Sequence, residues 1–223
     1  VDTLGTPRTA PGAAPRPGLR EIKKQRTRDA LVRAAMELFT TQGYERTTVD
    51  EIAEAVDVSQ RTFFRYFAGK EDAALAVQAM TEASFLEAVR GRPPHETPMQ
   101  ALRQAVVEGW DRIGESIEAV VPVELYLRMY RMIESTPVLL AAHLRRSAET
   151  EEKIARVLAD REGIDVDADP RPRLLVAVFG GVIRVTERQW SVGEDGSVEA
   201  MRELTARYLD QVDSAIRGNW RTT

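Results

Sequence analysis

The chain has 223 residues, enough for one large domain or two modest ones around a substantial buried core. With 43% apolar and 30% charged residues it has the composition of an ordinary soluble globular protein. It contains no cysteine, which excludes disulfides, thiolate-held zinc, iron–sulfur centres and cysteine nucleophiles. The longest apolar run, Leu174 to Ile183, stops at Arg184 and is far short of the roughly 20 residues a membrane span needs. The first residues show no apolar signal region, so a cytoplasmic location is expected.

The net charge of −4 hides an asymmetry. Residues 1–70 carry 12 Lys/Arg against 9 Asp/Glu, whereas residues 71–223 carry 19 against 26. Between Arg8 and Arg33 eight basic residues meet only Glu21 and Asp29. A basic end on an acidic body fits either a polyanion partner for that end or a solvated basic tail.

Residues 1–18, rich in Pro, Gly, Ala and Thr without apolar period, read as a flexible basic arm. From Leu19 onward the pattern is helical and no sustained period-two alternation interrupts it, so the fold class is all-α with about nine helices. A first helix is expected from about Glu21 to Gln42, with Leu31, Ala34, Ala35, Leu38 and Phe39 on one stripe and Gly43 ending it in left-handed geometry. Thr48-Val49-Asp50-Glu51 is a capping box opening a short helix that buries Val49, Ile52, Ala53 and Val56 and ends at Asp57. Ser59 caps a third helix whose Phe63 and Phe67 point inward, and Gly69 closes it. Two short helices joined by a tight turn, from Thr48 to Phe67, form a helix-turn-helix. A long helix should follow from near Lys70 to Gly91, then five more: Pro98 to about Glu115, Val123–Ser135, Pro137 to about Glu162, Pro170–Gly193 and Ser197–Asn219. The domains expected are 19–84 for DNA reading and 85–223 for ligand binding and dimerisation.

The third helix carries the chemistry. Its first turn presents Gln60, Arg61 and Thr62, and its outer face adds Arg65 and Tyr66. Gln and Arg are the side chains whose paired hydrogen bonds match adenine and guanine edges in the major groove. Ser, Thr, Lys and helix N-termini supply the phosphate contacts that set register. Phe63 and Phe67 read as core, and Tyr66 serves either packing or a phosphate contact.

The segment Arg26 to Lys70, with Ala34-Ala35, Leu38-Phe39, Gly43-Tyr44, Thr47-Thr48-Val49, Ile52-Ala53, Val58-Ser59 and Thr62-Phe63-Phe64-Arg65-Tyr66-Phe67, resembles the DNA-binding domain of TetR-family regulators. The resemblance implies a three-helix DNA-binding domain, a larger helical domain for ligand and dimer, and repression relieved by a small molecule. It assigns DNA contacts to Thr48, Ser59, Gln60, Arg61, Thr62, Phe64, Arg65, Tyr66 and Lys70. Phe64 departs from the Tyr common there, losing a hydroxyl that reaches phosphate, and Asp57 stands where Gly is usual.

In the second half, Val123–Ser135 is apolar on two sides and therefore central. Its Tyr126, Met129 and Tyr130, with Trp110, suit either plain core or an adaptable pocket for a small apolar or amphipathic effector; the resemblance implies a cavity here. The helix over Pro170–Gly193 carries two adjacent glycines at its middle, which close helix approach would justify. Phe179, Gly180, Ile183, Leu204, Tyr208 and Val212 are the residues expected at a four-helix homodimer interface, intrachain packing being the alternative. His95 and His143 have no partner pattern, and no metal, nucleotide or hydrolase motif is present, so neither metal nor cofactor is expected. The reading is a non-enzymatic, homodimeric repressor of a palindromic double-stranded DNA operator. An all-α enzyme or helical scaffold without DNA binding is the competing class.

Overall fold

The computed structural model describes residues 18–218. The expected arm over 1–18 lies, except for Gly18, outside the described residues. Among these there is no strand, and ten helices follow one another: α1 (Leu19–Gln42), α2 (Val49–Glu54), α3 (Gln60–Phe64), α4 (Lys70–Ala74), α5 (Ala76–Arg90), α6 (Pro98–Glu118), α7 (Val123–Ser135), α8 (Pro137–Glu162), α9 (Arg171–Val192) and α10 (Val198–Arg217). The all-α reading holds.

Local signals set most of the boundaries. Gly43 ends α1 at φ 94, and Gly163 ends α8 in left-handed geometry at φ 64. Thr48 and Glu51 form the expected reciprocal cap on α2. The Thr48 hydrogen bonds hold the Glu51 carboxyl below the usual range. Ser59 Oγ accepts the Thr62 amide to start α3. Asp57 takes the left-handed turn position at φ 54, the only non-glycine at positive φ among the described residues. A second capping box, Thr97 with Gln100, and Pro98 just inside open α6.

Two boundaries differ from expectation. Helix α3 ends at Phe64 with Arg65 as its cap, short of the closure expected at Gly69. The long helix after Lys70 is two helices, broken at Leu75, whose φ −96 and ψ 8 leave helical geometry. Packing explains the break, since α4 lies on α1 whereas α5 lies on α6 and α8. Leu75 itself is buried at the joint. The domain division expected between residues 84 and 85 therefore falls inside α5.

The N-terminal core gathers Leu31, Ala35 and Phe39 of α1, Ile52 of α2 and Phe63 of α3, with Phe67 beyond it. The Phe39 and Tyr44 rings meet at 5.2 Å, and the Arg28 guanidinium covers Phe67 at 5.3 Å. In the second unit α7 is central, touching α1, α6, α8 and α9. Leu125, Met129 and Ile133 are fully enclosed there, which is why both its sides are apolar. No described helix is long and apolar enough to cross a membrane.

Candidate nucleic-acid interface and internal cavity

The start of α3 stands out from the core. Ser59, Gln60, Arg61, Phe64 and Arg65 are exposed, with Thr62 and Tyr66 half-buried beside them. Gln60 and Arg61 make no side-chain hydrogen bond among the described residues, so their donors and acceptors are available to a base edge. Phe64 is 51% exposed, an outlay of apolar surface that its edge contact with Phe63 does not cover. The Arg65 guanidinium lies 5.3 Å over the Tyr66 ring, which fixes both on one outer face. Exposed Thr48 sits across the turn, its hydroxyl held in the α2 cap. Eight of the nine residues expected at DNA are therefore exposed or half-exposed.

Lys70 does not join them. Its ammonium donates to the carbonyls of Tyr44 at 2.9 Å, Thr47 at 3.2 Å and Glu45 at 3.4 Å, and lies 4.3 Å over the Tyr44 ring. All three donors are engaged, so Lys70 ties α4 to the α1–α2 turn. Its sequence neighbours carried no sign of this, because the three carbonyls come from a turn about 25 residues earlier.

A partly open cavity of about 130 Å³ lies between α5, α6, α8 and α9. Phe85, Val106, Trp110, Ile154, Phe179 and Ile183 give its apolar wall. The Phe85 and Phe179 rings stack in parallel at 5.6 Å. Of the four residues expected around a ligand, only Trp110 reaches the lining. Tyr126, Met129 and Tyr130 stand one layer behind: Met129 is fully buried, Tyr126 packs on Trp190 at 6.2 Å, and Tyr130 touches His143 edge-on at 6.3 Å. Burial pushes both tyrosine hydroxyls upward, away from ionisation.

The polar groups on that wall were missed in the sequence. Gln78, Glu82, His143 and Glu187 all line the cavity. Neither polar atom of Gln78, nor Trp110 Nε1, nor His143 Nδ1 has a hydrogen-bond partner among the described residues. Desolvation holds His143 below the usual imidazole range. A signal existed, since Phe179, Ile183 and Glu187 are successive i, i+4 positions, a stripe that begins apolar and ends in a carboxyl.

The expected dimer face needs correction. Phe179, Gly180 and Ile183 line the cavity, and Leu204 is buried within the chain. A Cβ on Gly180 would lie 2.3 Å from Glu151 Oε1, so this glycine makes room for the Glu151–Arg184 ion pair at 2.6 Å. At Gly181, by contrast, a Cβ would meet open space. That residue belongs to an outward groove with Val178, Val182 and Val185 of α9 and Tyr208 and Val212 of α10. Val178 is 37% and Val185 58% exposed there, with Leu174 and Ile216 continuing the apolar strip. Two of the six expected residues, Tyr208 and Val212, lie on this face.

Residues 31–77 match the family described as bacterial regulatory proteins, tetR family, and residues 96–216 match the MftR C-terminal domain. The chain is 45% identical over 221 residues to the HTH-type transcriptional regulator TcmR of Streptomyces glaucescens, covering 99% of this chain and 96% of that one. It is 32% identical over 95 residues to the transcriptional repressor NicS of Pseudomonas putida, covering 42% of this chain and 45% of that one. In fold it resembles SmeT, the repressor of the Stenotrophomonas maltophilia efflux pump SmeDEF. The TM-score is 0.54 at 18% identity, over 86% of this chain and 91% of SmeT. A helix-turn-helix with an exposed third helix, two family matches in tandem and a relative aligned end to end leave one conclusion: the chain belongs to the TetR family of DNA-binding transcriptional regulators, a family without enzymatic activity.

Proposed function

We propose that the chain acts as a homodimeric repressor that binds a near-palindromic double-stranded DNA operator and is released by a small-molecule effector. The observation that carries this reading is the position of the cavity. Gln78, Thr81, Glu82 and Phe85 on its wall all belong to α5, which is separated from α4 by Leu75 alone. A ligand that fills the cavity bears directly on α5, and α4 is clamped by Lys70 to the turn leading into the helix-turn-helix. A conformer that admits the ligand and one that holds the recognition helices at DNA spacing then differ in how α5 lies. A hundredfold loss of operator affinity needs only about 2.7 kcal/mol of differential ligand binding.

Dimerisation through the groove on α9 and α10 supplies the second half of the reading. An apolar strip along two adjacent helices suits a four-helix junction with a second copy, and Gly181 lets the backbones approach. Selection from random duplexes with the purified chain tests the operator and the dimer. Two inverted half-sites centred about one helical turn (roughly 34–36 Å) apart are expected. Enrichment of a single, unrepeated half-site would overturn the dimer reading.

A further inference from the structure

The cavity has an electrostatic character that its apolar wall does not suggest. Three carboxyl groups line it, Glu82, Glu151 and Glu187, against one guanidinium, Arg184. Glu151 is neutralised by Arg184 at 2.6 Å. Glu82 accepts from Thr150 at 3.0 Å and lies 3.3 Å from Arg146. Glu187 has no ion-pair partner of its own. Among the described residues no ammonium or guanidinium lies within ion-pair distance of it, and its one hydrogen bond, from the Tyr130 hydroxyl, is a loose 3.4 Å. The same wall carries the rings of Phe85, Trp110 and Phe179 and the unpartnered amide of Gln78. An uncompensated acid beside aromatic rings is the chemistry that holds a protonated amine on an apolar body, by ion pairing at one end and ring contacts at the other.

We infer that the effector site selects a cationic amphiphile, an aromatic or aliphatic body bearing a protonated amine, and that Glu187 is the residue that receives the charge. This rests on the reading of the cavity as the effector site. At about 130 Å³ the cavity is slightly smaller than the roughly 150 Å³ that holds benzene, so the body it takes is no larger than a single ring unless the wall yields. The stripe Phe179, Ile183, Glu187 on α9 runs from the stacked rings to the acid, so the apolar body lies towards Phe85 and Phe179 and the amine towards Glu187.

The acid also makes uptake pH-dependent. Glu187 is faced by Glu82 from α5, by Tyr126, Tyr130 and Glu134 from α7, by His143 and Glu151 from α8, and by Arg184 on its own helix. Described residues of α6 bring only Val106 and Trp110 to the wall, and α10 brings none. Burial first, then the neighbouring carboxylates, push the Glu187 carboxyl up to about 7. A cation needs it ionised, so affinity rises as pH passes through about 7 and levels off only well above it.

Three probes of one shape test the assignment in ligand-observed NMR titrations of the full chain: 2-phenylethylammonium, neutral 2-phenylethanol and anionic phenylacetate. At pH 8 the ammonium should bind at least about tenfold more tightly than the alcohol, phenylacetate should be weakest, and the ammonium should weaken on going to pH 6. Glu187→Gln should erase the preference and its pH dependence while leaving the alcohol's affinity in place. Equal binding of ammonium and alcohol to the unaltered chain would overturn the charge assignment and leave the cavity as an effector site. Failure of all three to bind, or binding that Ile183→Trp does not abolish, would overturn both the assignment and the cavity reading on which it rests.

Discussion

The Arg33 guanidinium donates through Nε and Nη2 to the carbonyl of Val120, at 3.0 and 2.8 Å, and so fastens α1 to the residue just past the end of α6. The covalent path from recognition helix to cavity runs through α4 and α5. This pair of hydrogen bonds is a second path, because α6 also carries Trp110 on the cavity wall. Hydrogen bonds from a charged donor contribute about 1.5–3 kcal/mol. Arg33→Ala should lower unfolding free energy by about 1–2 kcal/mol in urea titrations, given the exposure of the Arg33 side chain. It should also reduce the loss of operator affinity that a saturating effector causes, with ligand-free DNA binding little changed. A response of full size in this variant would show that α5 carries the signal alone.

Readout and scaffolding separate at α3 and Lys70. Gln60→Ala and Arg61→Ala should each cost about 1–3 kcal/mol and relax preference at particular base pairs in a selected site. Phe64→Tyr restores a hydroxyl at a 51% exposed position and should tighten binding to all sequences alike. Lys70→Ala should act differently from a lost phosphate contact. With three carbonyls deprived of their donor, it should lower the melting temperature while leaving the salt slope of DNA binding unchanged. A slope reduced by about 0.9 would return Lys70 to the phosphate backbone.

The apolar strip on α9 and α10 should hold the dimer. Val185→Asp places a charge at a position 58% exposed in the single chain, so folding should survive. Light scattering should then show a monomer, with operator affinity lost in parallel. Gly181→Leu should do the same by keeping the two backbones apart. Phe179→Asp, in contrast, should unfold the chain, because that ring is buried against Phe85. An intact dimer in Val185→Asp at micromolar concentration would remove the groove from the interface.

The limits of sequence reading lie in the same helices. Caps and turns are local chemistry: Thr48 with Glu51, Ser59 with Thr62, and Asp57 at φ 54 are all contained within a few residues, and each was legible. Helix α9 was not. It is apolar on two faces, one with Phe179 and Ile183, the other with Val178, Val182 and Val185, and periodicity alone does not say which faces the chain's own core. That depends on α5 and α8, which bring Phe85 and Glu151 to the first face. The same ambiguity misplaced the pocket by one layer. Tyr126, Met129 and Tyr130 have the composition of a pocket wall, but α7 packs on four helices and leaves them no free space. Lys70 shows the third kind of failure, a cation whose partners are set by a turn distant in sequence.

Glu187 should leave a mark on stability even without ligand. Its carboxyl has an ordinary value of 4.5 and is pushed up to about 7 in the folded chain, first by burial and then by the Glu82 charge. Below pH 4.5 it is protonated in both folded and unfolded chains and costs nothing. Between 4.5 and 7 the folded chain keeps a proton that the unfolded chain has released, so stability falls as pH rises. Above about 7 both forms are ionised and the loss is complete. A shift of this size is worth at most about 3 kcal/mol, less where the cavity admits water. Glu187→Gln keeps the shape and removes the charge, so it should match the parent chain at pH 4.5 and exceed its stability by up to about 3 kcal/mol at pH 8. Denaturant titrations of both proteins at one concentration, so that any dimer contribution cancels, supply the comparison. A difference that stays constant across this pH range would mean that Glu187 ionises as freely in the folded chain as in the unfolded one, and that water or a cation already compensates it.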